Sequence, residues 1–274
     1  MSAPDAAART VRGRVVVAYD GSAYQGWQTQ KTGCGVQQVL EAALKRIFPG
    51  VGPVHGSSRT DTGVHAQGLV AHFDVPIEEW RMTSRKLVLA VNAHLPDDVR
   101  IMRAARASPT FHARFDAAGK EYRYQIWNAP AHHPLLRRTS WHVPRPLEVK
   151  LMREAASRLV GTHDFRAFTN NPGYARSDCT RTLSACRVSR RGPLITVSIE
   201  GDGFLYKMCR NIAGTLVQAG LGKLSPTDID GILAQRDRRV AGMTAPAHGL
   251  VLWRVRYGKK SSQIHLDSTE DTDE

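Results

Sequence analysis

The chain predicts an α/β or α+β fold, and three features of its patterning carry that reading. Short apolar runs such as Val15-Val16-Val17 alternate along the first half with stretches whose apolar residues recur at helical spacing. In the second half, residues 120–127, 182–188 and 194–201 read as strands set between further amphipathic stretches. A loop dense in polar residues, Gly56 to Ala66, hangs between two apolar runs, and a polar loop on a rigid sheet is a usual place for chemistry.

Residues 1–10, rich in alanine and small polar residues, are expected to form a disordered leader. Val15 to Tyr19 reads as a buried strand closed by the Asp20-Gly21 turn. Tyr24, Trp27, Gln28 and Gln30 follow, a mixture of rings and amides that suits either a packed loop or contact with nucleotides. Val36, Val39, Leu40, Ala43, Leu44 and Ile47 keep helical spacing, and Lys45 and Arg46 suit the negative end of that helix. Val51 to Val54 and Leu69 to Phe73 read as strands flanking the polar loop. A helix over Ser84 to Asn92 stops before Pro96, and Val99 to Ala104 is a further strand.

In Lys120 to Trp127 the alternation puts Tyr122 and Tyr124 on one face. Residues 128–146 read as a long loop carrying His132, His133, Arg137 and Arg138. Pro146 suits the start of a helix built on Leu147, Leu151, Ala155 and Leu159, with Gly161 as its stop. Residues 161–182 form a second expected loop, with Phe165, Arg166, Phe168, Arg176 and Arg181. Leu205, Met208, Cys209, Ile212 and Leu216 make one apolar stripe and leave Lys207, Arg210 and Asn211 on other faces. Ser225-Pro226-Thr227-Asp228 caps a helix to about Gln235, Leu250 to Tyr257 closes as a strand, and the acidic residues 258–274 are expected to be disordered.

Across 274 residues, 38 Lys and Arg stand against 25 Asp and Glu, a net charge of +13 that favours a polyanionic partner, nucleic acid first. The four cysteines form no Cys-x-x-Cys pair, which disfavours a zinc ribbon or a disulfide scaffold and fits a reducing compartment. With no signal-peptide core and no bilayer-length apolar stretch, a soluble cytoplasmic protein without membrane contact is expected.

Arg59 and Asp61 lie two apart, so in extended backbone both point the same way, and a guanidinium beside the carboxylate would favour its charged form. Such a carboxylate is a usable nucleophile or base, or else a turn cap with a surface partner. Ser57 or Ser58 with His65 and Asp61 could suggest a hydrolase triad, but the Gly-x-Ser-x-Gly elbow is lacking. His55, His65 and His72 are not at zinc spacing, and Gly220 to Ser225 does not fit a phosphate-binding loop.

Ser58-Arg59-Thr60-Asp61-Thr62-Gly63-Val64-His65-Ala66 resembles the active-site motif (G/A)RTDxGVHA of the tRNA pseudouridine synthase A family. Residues 19–30 resemble that family's YDGxxYxGWQxQ opening, and residues 91–99 its NxxLPxD segment. Further matches follow in the family's order at residues 111–115, 122–124, 204–211 and 245–250. Ser58 and Thr62 depart from it, standing where glycine and alanine are common.

The resemblance implies an α+β pseudouridine synthase fold: two α/β subdomains, here 11–108 and 109–257, with mixed, largely antiparallel sheets joined across a basic cleft. It implies an isomerase that converts uridine to pseudouridine in the anticodon stem-loop of tRNA, at positions 38, 39 and 40, as a homodimer and without a cofactor. Asp61 is then the catalytic carboxylate, attacking C1′ or removing the C2′ proton. Arg210 pairs with it, Arg59 engages phosphate, Tyr122 lies against the uracil and Leu250 floors the pocket. The alternative is a non-catalytic RNA-binding or tRNA-folding protein on the same scaffold.

Overall fold

The computed structural model describes residues 9–29, 33–170 and 178–258. Gln30, Arg176, residues 1–8 of the expected leader and the acidic stretch from residue 259 onward lie outside the described residues.

In chain order the elements are β1 (Thr10–Tyr19), α1 (Val36–Ile47), β2 (His55–Gly56), β3 (His65–Pro76), α2 (Ser84–Asn92), β4 (Val99–Ala107) and β5 (Ala117–Trp127). Then follow β6 (Trp141–His142), α3 (Val149–Ser157), β7 (Gly161–Asp164), β8 (Thr180–Arg191), β9 (Leu194–Gly201), α4 (Met208–Gly220), α5 (Asp228–Gln235) and β10 (Leu250–Tyr257). The strands share one mixed sheet in the spatial order β4-β1-β3-β10-β5-β9-β8-β7, with β2 beside β3 and β6 beside β5. All pairings are antiparallel except β10 with β3 and β5 with β6. The halves of the sheet therefore meet where β10 lies beside β3, over the pairs Val251–His65 and Leu252–Ala66.

Local chemistry sets the helix ends. Thr83 caps α2 by accepting the Lys86 N–H, and α1 ends with Lys45 and Arg46 in its last turn, where cations oppose the dipole. Leu40 and Leu44 of α1 and Leu87 and Val91 of α2 join the same apolar core as Tyr124, Ile212 and Leu252. Helix α4 is apolar nearly all round and is buried to match, packed against α3 and β5.

Four expectations are corrected. β1 opens at Thr10, inside the expected leader. Residues 51–54 form no strand: Pro53 has no N–H to donate to a ladder, and pairing with β3 begins only at His55. Helix α3 starts at Val149, not Pro146, because Glu148 caps it and the Glu148 N–H is held by the Gly220 carbonyl (2.8 Å). Its buried face is Val149, Met152, Ala155 and Ala156, and Leu151 is only partly covered. Residues 161–164 are the strand β7, paired with β8 and pinned by a Thr162–Thr182 hydroxyl contact of 2.9 Å. Asn211, which lies off the apolar stripe of α4, is fully buried as well. Its amide donates to the Phe168 carbonyl and Asn170 Oδ1 and accepts from Arg238 and the Thr244 hydroxyl, so its desolvation is offset.

Trp27 is a packing residue, 2% exposed, with its indole against Gly56 and 6.3 Å from the Tyr19 ring.

His72 on β3 gives a measurable acid limb. Its Nδ1 accepts the Ala113 N–H (3.1 Å), and burial, then Arg12, His112 and His55, push its pKa from 6.5 down to about 4. Between those two values the unfolded chain holds the extra proton, so stability present above 6.5 is lost as pH falls toward about 4. Denaturant titrations over this window should lose on the order of 2–3 kcal/mol, and His72→Gln should flatten the limb. An unchanged limb in that variant would assign the loss to other groups.

Candidate active site

The loop before β3 is held from several sides. Ser57 exchanges hydrogen bonds with Val70, its N–H donating to the Val70 carbonyl and its hydroxyl accepting the Val70 N–H. The Thr60 hydroxyl meets the Tyr19 phenol at 2.8 Å, and the Trp27 N–H donates to the Thr60 carbonyl at 3.2 Å. Asp61 to Val64 is a turn closed by the Val64 N–H on the Asp61 carbonyl, with Gly63 at φ +77° in the third place, where type II geometry requires it. His65 then fastens the loop to the second half: its Nδ1 accepts the Gly21 N–H (3.0 Å) and its Nε2 faces the carbonyls of Arg138 (2.9 Å) and His248 (3.1 Å).

Gly26, at φ +86°, lies directly under this loop. A Cβ there would stand 2.3 Å from the Thr60 carbonyl oxygen and 3.1 Å from the Asp61 carbonyl carbon. Gly26→Ala should therefore cost about 1–3 kcal/mol of stability and displace Asp61, read as a lower denaturation midpoint together with a lower rate. A variant of unchanged rate would mean that the loop moves without consequence.

Asp61 opens onto a cavity of about 570 Å³, within the range that holds a ligand of nucleotide size. It is the one carboxylate among the described lining residues, facing four cations, Arg59, Arg114, Lys120 and Lys207. Tyr122 is 7% exposed and lies edge-on to Phe204, with ring centroids 5.1 Å apart, while buried Leu250, the first residue of β10, completes the lining. Burial, Cys209 and the Asp61 charge raise the Tyr122 pKa, so its phenol is a hydrogen-bond donor and not a phenolate base. Met208 and Cys209 bring the first turn of α4 to the wall, and burial keeps the Cys209 thiol neutral by raising its pKa. Lys207 caps that helix at φ +59°, an uncommon conformation for a side-chain-bearing residue.

Arg210 stands behind Asp61 outside the lining, with Nη1 3.2 Å from Asp61 Oδ2 and Nε donating to the Ala245 carbonyl at 2.8 Å. Arg59 is not the neighbour of the carboxylate that the two-residue spacing suggested. It is exposed, makes no ion pair with Asp61, and leaves that place to a residue 149 positions away. Asp61, Tyr122, Leu250 and Arg59 thus share one cavity, with Arg210 buttressing the acid. The triad reading fails, since the Ser57 hydroxyl is taken by Val70 and both His65 nitrogens by backbone groups.

Lys120 and Arg114 line the cavity without having been given a role by the sequence. Lys120 precedes Tyr122 by two, and strand alternation would have placed it on the same face. Arg114 carried no signal beyond its place in a motif. The Ser58 hydroxyl, also on the wall, is buried without a hydrogen-bond partner. No cluster of three or more His, Cys, Asp or Glu among the described residues is placed to hold a metal ion. No described helix is long and apolar enough to cross a membrane.

A family model described as tRNA pseudouridine synthase matches residues 15–116 and 155–258. Those stretches contain Arg59, Asp61, Arg210 and Leu250, and Tyr122 falls between them. Among similar proteins, tRNA pseudouridine synthase A of Geobacillus kaustophilus is 44% identical over 251 residues, 90% of this chain and 95% of its own. The protein of that name from Brevibacillus brevis is 44% identical over 248 residues, covering 89% and 98%, and that from Thermoanaerobacter sp. is 41% identical over 243 residues, covering 89% and 98%.

Proposed function

Since the chain belongs to the tRNA pseudouridine synthase family and is an isomerase of uridine in tRNA, we propose that Asp61 carries out the reaction in the cavity described above. The isomerisation breaks the C1′–N1 bond, turns the freed uracil and joins C5 to C1′, while C5 loses a proton and N1 gains one. Attack on C1′ and removal of the C2′ proton both need one carboxylate at the ribose and walls that keep the base from escaping. The observation that carries the reading is the placement of a lone acid among four lining cations, with Tyr122 in the same wall and Arg210 at its back.

In this reading Arg210 fixes the carboxylate by two contacts, at Asp61 and at the Ala245 carbonyl. Arg59, exposed at the lip, takes a phosphate and helps to hold the nucleotide out of its stack, at a cost of a few kcal/mol. Tyr122 offers its ring face and hydroxyl to the uracil, and Leu250 closes the floor. Residues 11–108 supply Arg59 and Asp61, and residues 109–257 supply Tyr122, Arg210 and Leu250, so the site needs both. The targets are positions 38, 39 and 40 of the anticodon stem-loop, read by shape and phosphate charge more than by base sequence. The working form is a homodimer, which sedimentation would detect. The compartment is the cytoplasm, in keeping with four free cysteines.

The test is incubation with an unmodified tRNA transcript, without ATP or added metal, and mapping of pseudouridine by carbodiimide-blocked primer extension. Stops at anticodon-stem uridines are expected. Tight binding of the transcript with no stop anywhere would favour a binding protein and overturn the enzymatic reading.

A further inference from the structure

None of the four cations that line the cavity has an acid among the described residues, and two of them also act on one another. Lys120 and Arg114 both line it, and neither forms an ion pair with a carboxylate among the described residues. Lys120 Nζ donates to the Ser57 carbonyl at 2.8 Å, which aims the ammonium across the base of the catalytic loop. Its strand neighbours are Gly201 on β9 and Val255 on β10, and neither carries charge. Glu121, next along β5, is committed to Arg123 and Arg254. Glu200, Asp202 and Arg256 border a smaller hollow that Lys120 also lines, but Glu200 is paired with Arg187 and Arg256, and Asp202 accepts the Thr182 N–H. From the turn at residues 111–116, Asp116 accepts the His112 N–H, and only Arg114 acts on the ammonium.

We propose that Arg114 and Lys120 form a phosphate subsite in the catalytic cavity that holds a phosphodiester flanking the target uridine. Two like charges kept together, one of them half-buried and neither neutralised, are unfavourable in the free protein and become favourable when a dianionic backbone segment or a single phosphodiester enters between them. Burial, and then the Arg114 charge, push the Lys120 pKa down to about 8, which makes the subsite titratable near neutral pH. A bound phosphate stabilises the ammonium, so RNA binding takes up a proton above about pH 8, and affinity falls as pH rises past that value. The guanidinium of Arg114 lies 5.8 Å from the ring of Phe115, which is 75% exposed and gives the base beside that phosphate an apolar surface.

The inference rests on the tRNA-modifying reading, and the experiment separates the two. An unmodified anticodon stem-loop RNA is titrated with the full-length wild type and with Lys120→Met, Lys120→Arg and Arg114→Met, over a range of salt and from pH 6.5 to 9. Pseudouridine formation by the wild type is scored in parallel. Lys120→Met and Arg114→Met should each bind about tenfold more weakly, with the salt slope reduced by about one. Their double variant should lose less than the product of the two, because one phosphate is shared. Wild-type affinity should decline above about pH 8 relative to Lys120→Arg, whose guanidinium does not titrate. An active wild type whose Lys120→Met and Arg114→Met variants keep its affinity, salt slope and pH profile would remove the subsite alone. A wild type that makes no pseudouridine would remove the reading beneath it. Arg114 is exposed, so its variant reports on binding even if the Lys120→Met protein folds poorly.

Discussion

Asp61→Asn is expected to lower the rate of pseudouridine formation by about 10⁴-fold or more while RNA binding stays within a few fold. Asparagine keeps the size and planarity of the side chain and can still accept a hydrogen bond from Arg210, but an amide is neither a nucleophile nor a base. The turn that presents it should survive, since its closing bond uses the Asp61 backbone carbonyl and its sharp corner is provided by Gly63. Single-turnover assays with saturating enzyme, alongside filter binding of the same transcript, separate chemistry from affinity. Wild-type turnover in the asparagine variant would take the carboxylate out of the mechanism.

Arg210→Met should have the next largest effect, a rate loss of about 10²-fold together with a stability loss of about 2–3 kcal/mol. The side chain is 14% exposed and serves two partners at once, Asp61 Oδ2 through Nη1 and the Ala245 carbonyl through Nε. Methionine fills the channel left by the stem but leaves a partly buried carboxylate and a carbonyl without donors. Arg210→Lys restores the charge but not the two-pronged geometry, so it should regain only part of the rate. Equal activity in the methionine variant would show that the carboxylate needs no fixed partner. A stability loss without a rate loss would give Arg210 a purely architectural role.

Much of the framework could be read where local and tertiary signals agree. The helical spacing of Val36 to Ile47 and the run from Leu250 to Tyr257 match α1 and β10 residue for residue, because one periodicity and clear flanks define each. The failures have particular causes. Pro53 breaks an apolar run that otherwise passes for a strand, and Glu148 outcompetes Pro146 as the start of α3. β7 is only four residues long and opens on a glycine at φ +117°, so it carries too little pattern to stand out from a loop. At the site, the 58–66 motif and the residues likened to a known family lead to the same cavity. The contact between Asp61 and Arg210 spans 149 positions and no spacing rule reaches it. Lys120 was within reach of such a rule, being two residues from Tyr122, but its lack of a carboxylate partner is a property of β9 and β10 and is invisible in one strand.

The position of β10 also has a consequence for how the protein is made. Residues 250–257 leave the ribosome after the other nine strands, yet they belong between β3 and β5, so the nascent chain carries two unsatisfied edges at the middle of its future sheet. Those edges face each other and stay open to mispairing until β10 emerges and fills the gap. Leu250 arrives with the same strand, so a chain that lacks β10 also lacks one wall of the cavity that holds Asp61.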